Sequence, residues 1–96
     1  MTGLEWIAAN RVKIHRLARR HGATRLRIFG SHVTGRATHK SDLDILVDLA
    51  PERDLLDLIG LKLDLEDLLG CRVDAVTPAS LSPFLRKRIL REAQTL

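Results

Sequence analysis

A chain of 96 residues has room for one domain, and 45% apolar with 29% charged residues is the composition of a folded protein, not a disordered one. Sixteen Lys and Arg against twelve Asp and Glu leave a net charge of +4, which predicts an anionic partner such as a nucleotide, a nucleic acid or an acidic protein surface. The lone Cys71 excludes an internal disulfide, no apolar run approaches membrane-spanning length, and no signal core follows Met1, so a cytoplasmic protein without membrane contact is expected.

Thr2 and Glu5 have the T-x-x-E spacing of a capping box. Leu4, Ile7, Ala8, Ile14, Leu17 and Ala18 then recur at helical spacing up to Gly22, predicting one helix whose other face carries Arg11, Lys13, Arg16, Arg19 and Arg20. Leu26, Ile28 and Phe29 mark a short strand over residues 25–29 that runs into Gly30-Ser31. Residues 32–41 are polar and fit a short helix or turn followed by a loop. Residues 43–49 (LDILVDL) alternate apolar and acidic at their start and predict a second strand, closed by Pro51. A leucine-rich helix over 54–69 ends at Gly70, and residues 72–77 (RVDAVT) predict a third strand. Ser82-Pro83 opens a last helix reaching about Gln94. Alternating helices and strands predict an α/β fold over residues 1–96: one domain, with a small mixed β-sheet of about three strands, flanking helices and an aliphatic core.

Asp42 and Asp44, two apart at the start of the second strand, share one face of it. Two like charges so close repel unless a cation lies between them, and Mg²⁺ takes such oxygen ligands. Alone, the pair reads equally well as the polar face of an edge strand. Gly30-Ser31 follows a strand at a possible helix start, where free N–H groups and the serine hydroxyl suit a phosphate. Alone, it reads as a plain turn with a serine cap. Asp74 is a single acid between Val73 and Ala75, whose side chains point to the opposite face of their strand. Burying such a carboxylate unpaired is costly, and a metal shared with Asp42 and Asp44 would account for it.

Gly30-Ser31, ten residues, then Asp42-x-Asp44, with a further strand acid at Asp74, resembles the nucleotidyltransferase signature of the DNA polymerase beta superfamily. Within it, the chain looks most like the stand-alone minimal nucleotidyltransferases. The resemblance runs on through residues 43–47, the leucine-rich helix, CRVDAVTP and residues 81–90. It implies the nucleotidyltransferase fold, with Asp42 and Asp44 binding two Mg²⁺ ions and Asp74 completing the metal site and helping to activate the attacking hydroxyl. Gly30 and Ser31 would hold the triphosphate of ATP. It further implies an antitoxin that transfers AMP from ATP to a tyrosine of a HEPN-domain ribonuclease toxin and so silences it. In one departure, family members commonly carry an arginine where Thr34 precedes Gly35, leaving Arg36 or Lys40 to supply its charge. Since this scheme needs no catalytic His or Cys, His15, His21, His32 and His39 are expected in solvent, with contact to a phosphate as the alternative for His32 and His39, and Cys71 is expected as a small buried residue.

Two other classes remain open. One is a binding-only antitoxin that occludes its toxin while its own site is impaired, with Thr34 as the motive. The other is a nucleic-acid-binding module using the first helix and Arg86, Lys87, Arg88 and Arg91 of the last. The intact aspartates favour the enzyme over the first. The scarcity of aromatics (Trp6, Phe29 and Phe84) disfavours the second. Leu55, Leu58, Leu65, Leu68 and Leu69 form one stripe of the leucine-rich helix, and Leu56, Ile59 and Leu63 form another. The second stripe fits either a wide core-facing arc or a contact in a homo- or hetero-oligomer.

Overall fold

The alternation along residues 43–49 builds the middle of a four-stranded sheet. A computed structural model describes residues 3–34 and 42–96. Helices α1 (Gly3–Ala9) and α2 (Arg11–Arg20) precede strand β1 (Ala23–Phe29) and the single-turn helix α3 (Ser31–Thr34). Strand β2 (Leu43–Leu49), helix α4 (Leu55–Leu69) and strand β3 (Val73–Val76) follow. A 3₁₀ turn at Pro78–Ser80 leads to α5 (Pro83–Glu92) and a final short strand, β4 (Gln94–Thr95).

The strand order is β3-β2-β1-β4. β1 runs antiparallel to β2 with Phe29 opposite Asp44, and β3 runs parallel to β2 with Asp44 beside Asp74. Period-two alternation then assigns each face. Leu26, Ile28, Leu43, Ile45, Val47 and Val73 point to one side and are buried there. They form the core with Ile7, Ile14, Ala18, Leu58, Leu61, Leu65 and Leu69. On that side α2 lies against β1 and α4 against β3, and the two helices touch. Leu46 points the other way and is fully buried as well, in the strand against which the 3₁₀ turn packs.

Local chemistry sets the limits of α4. The Asp54 carboxylate accepts from the Leu56 and Asp57 N–H groups, and the Asp57 carboxylate accepts from the Asp54 N–H, a reciprocal cap. Gly70, at φ +67°, closes the other end in the left-handed conformation that glycine adopts without a Cβ penalty.

Three expectations need correction. The first helix is interrupted at Asn10, whose Nδ2 donates to the Trp6 carbonyl at 2.9 Å; a side chain that bonds nearby backbone competes with helix continuation. The capping box falls partly on Thr2, outside the described residues. The last helix stops at Glu92, because the free edge of β1 takes up Gln94 and Thr95 as a fourth strand. In α4 the buried stripe is Leu58, Leu61, Leu65 and Leu69, with Leu68 partly buried, whereas Leu55 is 67% exposed. Leu61 takes the place expected of Leu55, and Leu56, Ile59 and Leu63 face out with it.

Candidate active site

The carboxylates gather where β2 and β3 begin. Asp42 immediately precedes β2 and is exposed, and Asp44 is half-buried on the face opposite the core. Parallel pairing sets Asp74 next to Asp44 in the adjoining strand, on the same face. Asp74 is exposed, and β3 is an edge strand, so the expectation of a buried carboxylate is corrected. Water already solvates it, and the reason for its position is its neighbour. Burial raises the Asp44 pKa above its ordinary value, and the nearby charges of Asp74 and Asp42 raise it further, while His32 acts in the opposite sense.

Gly30 closes one side of this group. It sits at φ +79° at the end of β1, and a Cβ there would collide with Asp44 Oδ2. Ser31 opens α3 directly afterwards, and the Val33 N–H donates to the Gly30 carbonyl at 3.0 Å. A bare backbone therefore lies against the half-buried carboxylate of Asp44.

Two further side chains stand beside these residues, and of them only His32 was named from the sequence. Glu66 Oε2, on α4, accepts from the Val73 N–H at 2.9 Å, tying the first residue of β3 to the helix beside it. That bond, and the Lys62 ammonium next to it, hold the Glu66 carboxyl below its usual pKa. The second is His32, 8% exposed, whose Nδ1 is buried without a hydrogen-bond partner among the described residues. Expected in solvent, it is instead enclosed on α3. Its place two residues beyond Gly30 was the only available signal.

His15 and His21 also depart from expectation. His21 Nε2 lies 2.6 Å from Asp64 Oδ2, linking the end of α2 to α4, and His15 is half-buried. Cys71 is half-buried, its thiol pKa pushed up by burial and then by Glu66 and Asp42. Gly35, Arg36, His39 and Lys40 lie outside the described residues, as does the Thr34 side chain.

Among the described residues no three His, Cys, Asp or Glu side chains are grouped so as to hold a metal ion by themselves. What the site offers is an open set of hard oxygen donors of like charge, which suits a cation such as Mg²⁺ that keeps room for water and phosphate. Two clefts lined by described residues lie away from it. One, of about 390 Å³, runs between α2, β1 and β4, and the other, of about 300 Å³, between α2 and α4.

The sequence profile of the nucleotidyltransferase domain family matches residues 11–96. The chain belongs to that family. It is 44% identical over 81 residues to a candidate protein adenylyltransferase of Methanocaldococcus jannaschii, covering 84% of this chain and 87% of that one. It is 46% identical over 76 residues to the protein adenylyltransferase MntA of Thermococcus cleftensis, covering 79% and 77%. The fold agrees with a solved candidate minimal nucleotidyltransferase at 50% identity and a TM-score of 0.87, covering 100% and 97%. A toxin–antitoxin structure with AMP-PNP matches at 28% identity and a TM-score of 0.74, covering 90% and 71%. An MNT antitoxin in complex with the tri-AMPylated HEPN toxin of Shewanella oneidensis matches at 26% and 0.68, covering 92% and 69%. The mixed α/β sheet and the nucleotidyltransferase assignment expected from the sequence both hold. No helix of the described residues is long and apolar enough to cross a membrane.

Proposed function

We propose that this nucleotidyltransferase is a Mg²⁺-dependent protein adenylyltransferase that acts in the cytoplasm as an antitoxin. It transfers AMP from ATP to a tyrosine hydroxyl of a partner HEPN toxin and so neutralises it. The observation that carries the reading is the pairing of Asp44 with Asp74 across parallel strands, with Asp42 two residues away and the Gly30 backbone against Asp44. Relatives named as protein adenylyltransferases, and similar folds solved with AMP-PNP and with an AMPylated HEPN toxin, support the choice of nucleotide and of partner.

Asp42, Asp44 and Asp74 would hold Mg²⁺, which when bound neutralises charge on the attacking and leaving oxygens of an in-line displacement. Gly30 leaves space for a phosphate to approach the backbone, and Ser31 would donate its hydroxyl to a phosphate oxygen. Asp74, exposed on the edge strand, would accept the proton of an incoming hydroxyl. The acceptor oxygen then bonds the α-phosphorus as pyrophosphate leaves.

Incubation with Mg²⁺, ATP and the HEPN toxin is expected to add one AMP mass, or a small multiple, to the toxin. Asp42→Ala with Asp44→Ala is expected to abolish that addition, as read by intact mass. Transfer at the wild-type rate by the double variant would remove the metal assignment. Toxin neutralised without any mass gain would favour occlusion over catalysis.

A further inference from the structure

The charge of this chain is unevenly placed. Residues 52–67 hold six acidic side chains against two basic ones, while the rest of the chain holds six against fourteen. Helix α2 alone carries Arg11, Lys13, Arg16, Arg19 and Arg20 and no acid. These two helices, of opposite charge, lie side by side on the same face of the sheet. The groove between them is lined by Lys13, Arg16 and Arg20 from one and by Asp64 and Asp67 from the other.

The groove is not closed by its own charges. Asp64 pairs with His21, but among the described residues Lys13, Arg16, Arg20 and Asp67 make no ion pair. Beside it α4 turns Leu55, Leu56, Ile59 and Leu63 to solvent, at 67, 75, 42 and 56% exposure, and α2 exposes Val12 at 72%. Leu56, Ile59 and Leu63 are spaced by three and then four residues, the ladder by which one helix packs along another. Their exposure is not slack in the fold, because α4 already buries a separate stripe.

A face that carries an acidic, apolar helix next to a basic one is complementary to itself under a two-fold rotation. Turning a second copy about an axis through the groove lays its α2 over the first copy's α4, and the reverse contact follows by symmetry. Both contacts match opposite charges, and the arginine stems of α2 can cover leucine side chains while their heads reach the acids. We propose that this chain forms a two-fold homodimer through the α2–α4 face, with the Leu56–Ile59–Leu63 ladder at its apolar centre. The arrangement is closed, so it ends at two copies. It leaves the Asp44–Asp74 side of the sheet, on the opposite face, open to substrate.

Sedimentation velocity on the full chain at micromolar concentration and low salt tests this independently of any activity. Wild-type protein is expected at twice the monomer mass, with dissociation increasing as salt rises. Leu56→Glu with Leu63→Glu is expected to weaken dimerisation by about 100-fold or more while leaving the helical circular dichroism intact. Should that variant lose its helical signal, charge reversal decides. Arg16→Glu with Arg20→Glu is expected to give monomers, and adding Glu52→Lys and Asp67→Lys to restore the dimer. A monomeric wild type, or a dimer indifferent to both sets of changes, overturns the proposal and leaves the ladder to a different protein.

Discussion

Asp44 is the residue at which stability and function oppose one another. Its carboxyl is raised above the ordinary value of 3.8, first by burial and then by Asp74 and Asp42. An acid whose folded pKa is raised contributes stability at low pH, and that contribution is lost as pH rises through the folded value. At neutral pH the ionised group therefore strains the metal-free fold. Asp44→Asn should raise the melting temperature of metal-free protein at pH 7, with the gain shrinking toward pH 4, while nucleotide transfer disappears. A variant that melts lower at pH 7 would show that the charge is accommodated without a cation. Gly30 has the opposite profile. A side chain there meets both a positive φ and Asp44 Oδ2, so Gly30→Ala should cost about 1–2 kcal/mol of stability. Displacing the carboxylate by an ångström should also slow transfer by about 100-fold, measured as kcat with the toxin as acceptor. Unchanged kcat would place the reacting phosphate away from Gly30. The importance of both residues could be read from their spacing, because a turn glycine and a paired acid carry their meaning locally. The enclosure of His32 could not, since nothing near it in sequence says which elements will cover α3.

At the scale of elements, α4 is the strut on which β3 rests. Its N-terminus is held by the Asp54–Asp57 reciprocal cap and its C-terminal half by the Glu66 bond to the Val73 N–H. Asp54→Ala should cost about 1 kcal/mol and lower the melting temperature by about 4–8 °C in a chain of this size. A thermal melt followed at the helical minimum checks it, and an unchanged midpoint would mean that packing of the buried stripe alone sets the start of the helix. The two ends of α4 were legible from Gly70 and from the polar residues before Leu55. Its rotation about its own axis was not. Two leucine stripes compete for one core, and the choice falls to whichever set, here Leu58, Leu61, Leu65 and Leu69, buries more surface against β3 and α2 together.

For the molecule as a whole, two clefts lined by described residues lie away from the carboxylates, and Asp42, Asp44 and Asp74 carry like charge side by side. Such a surface repels a bare triphosphate. Isothermal titration of the isolated chain with ATP should show weak binding that appears only with a divalent cation, since few groups enclose the nucleotide. Tight binding in the presence of a chelator would contradict the site described here.

What the sequence by itself determined is what acts over a few residues. The alternation in residues 43–49, the left-handed stop at Gly70 and the spacing of Gly30-Ser31 from Asp42-x-Asp44 each follow from sterics and hydrogen bonding within one or two turns of chain. Only the tertiary structure decided that Asp74 stands beside Asp44, because a parallel register between strands joined by a helix depends on how that helix packs. It likewise decided that Gln94 and Thr95 leave the last helix to complete a sheet edge, and that Leu55 rather than Leu61 is left in water. Register, edge pairing and the choice of buried stripe are competitions between distant segments of similar local propensity. They are settled by the total surface and hydrogen bonds that the assembled chain can satisfy at once.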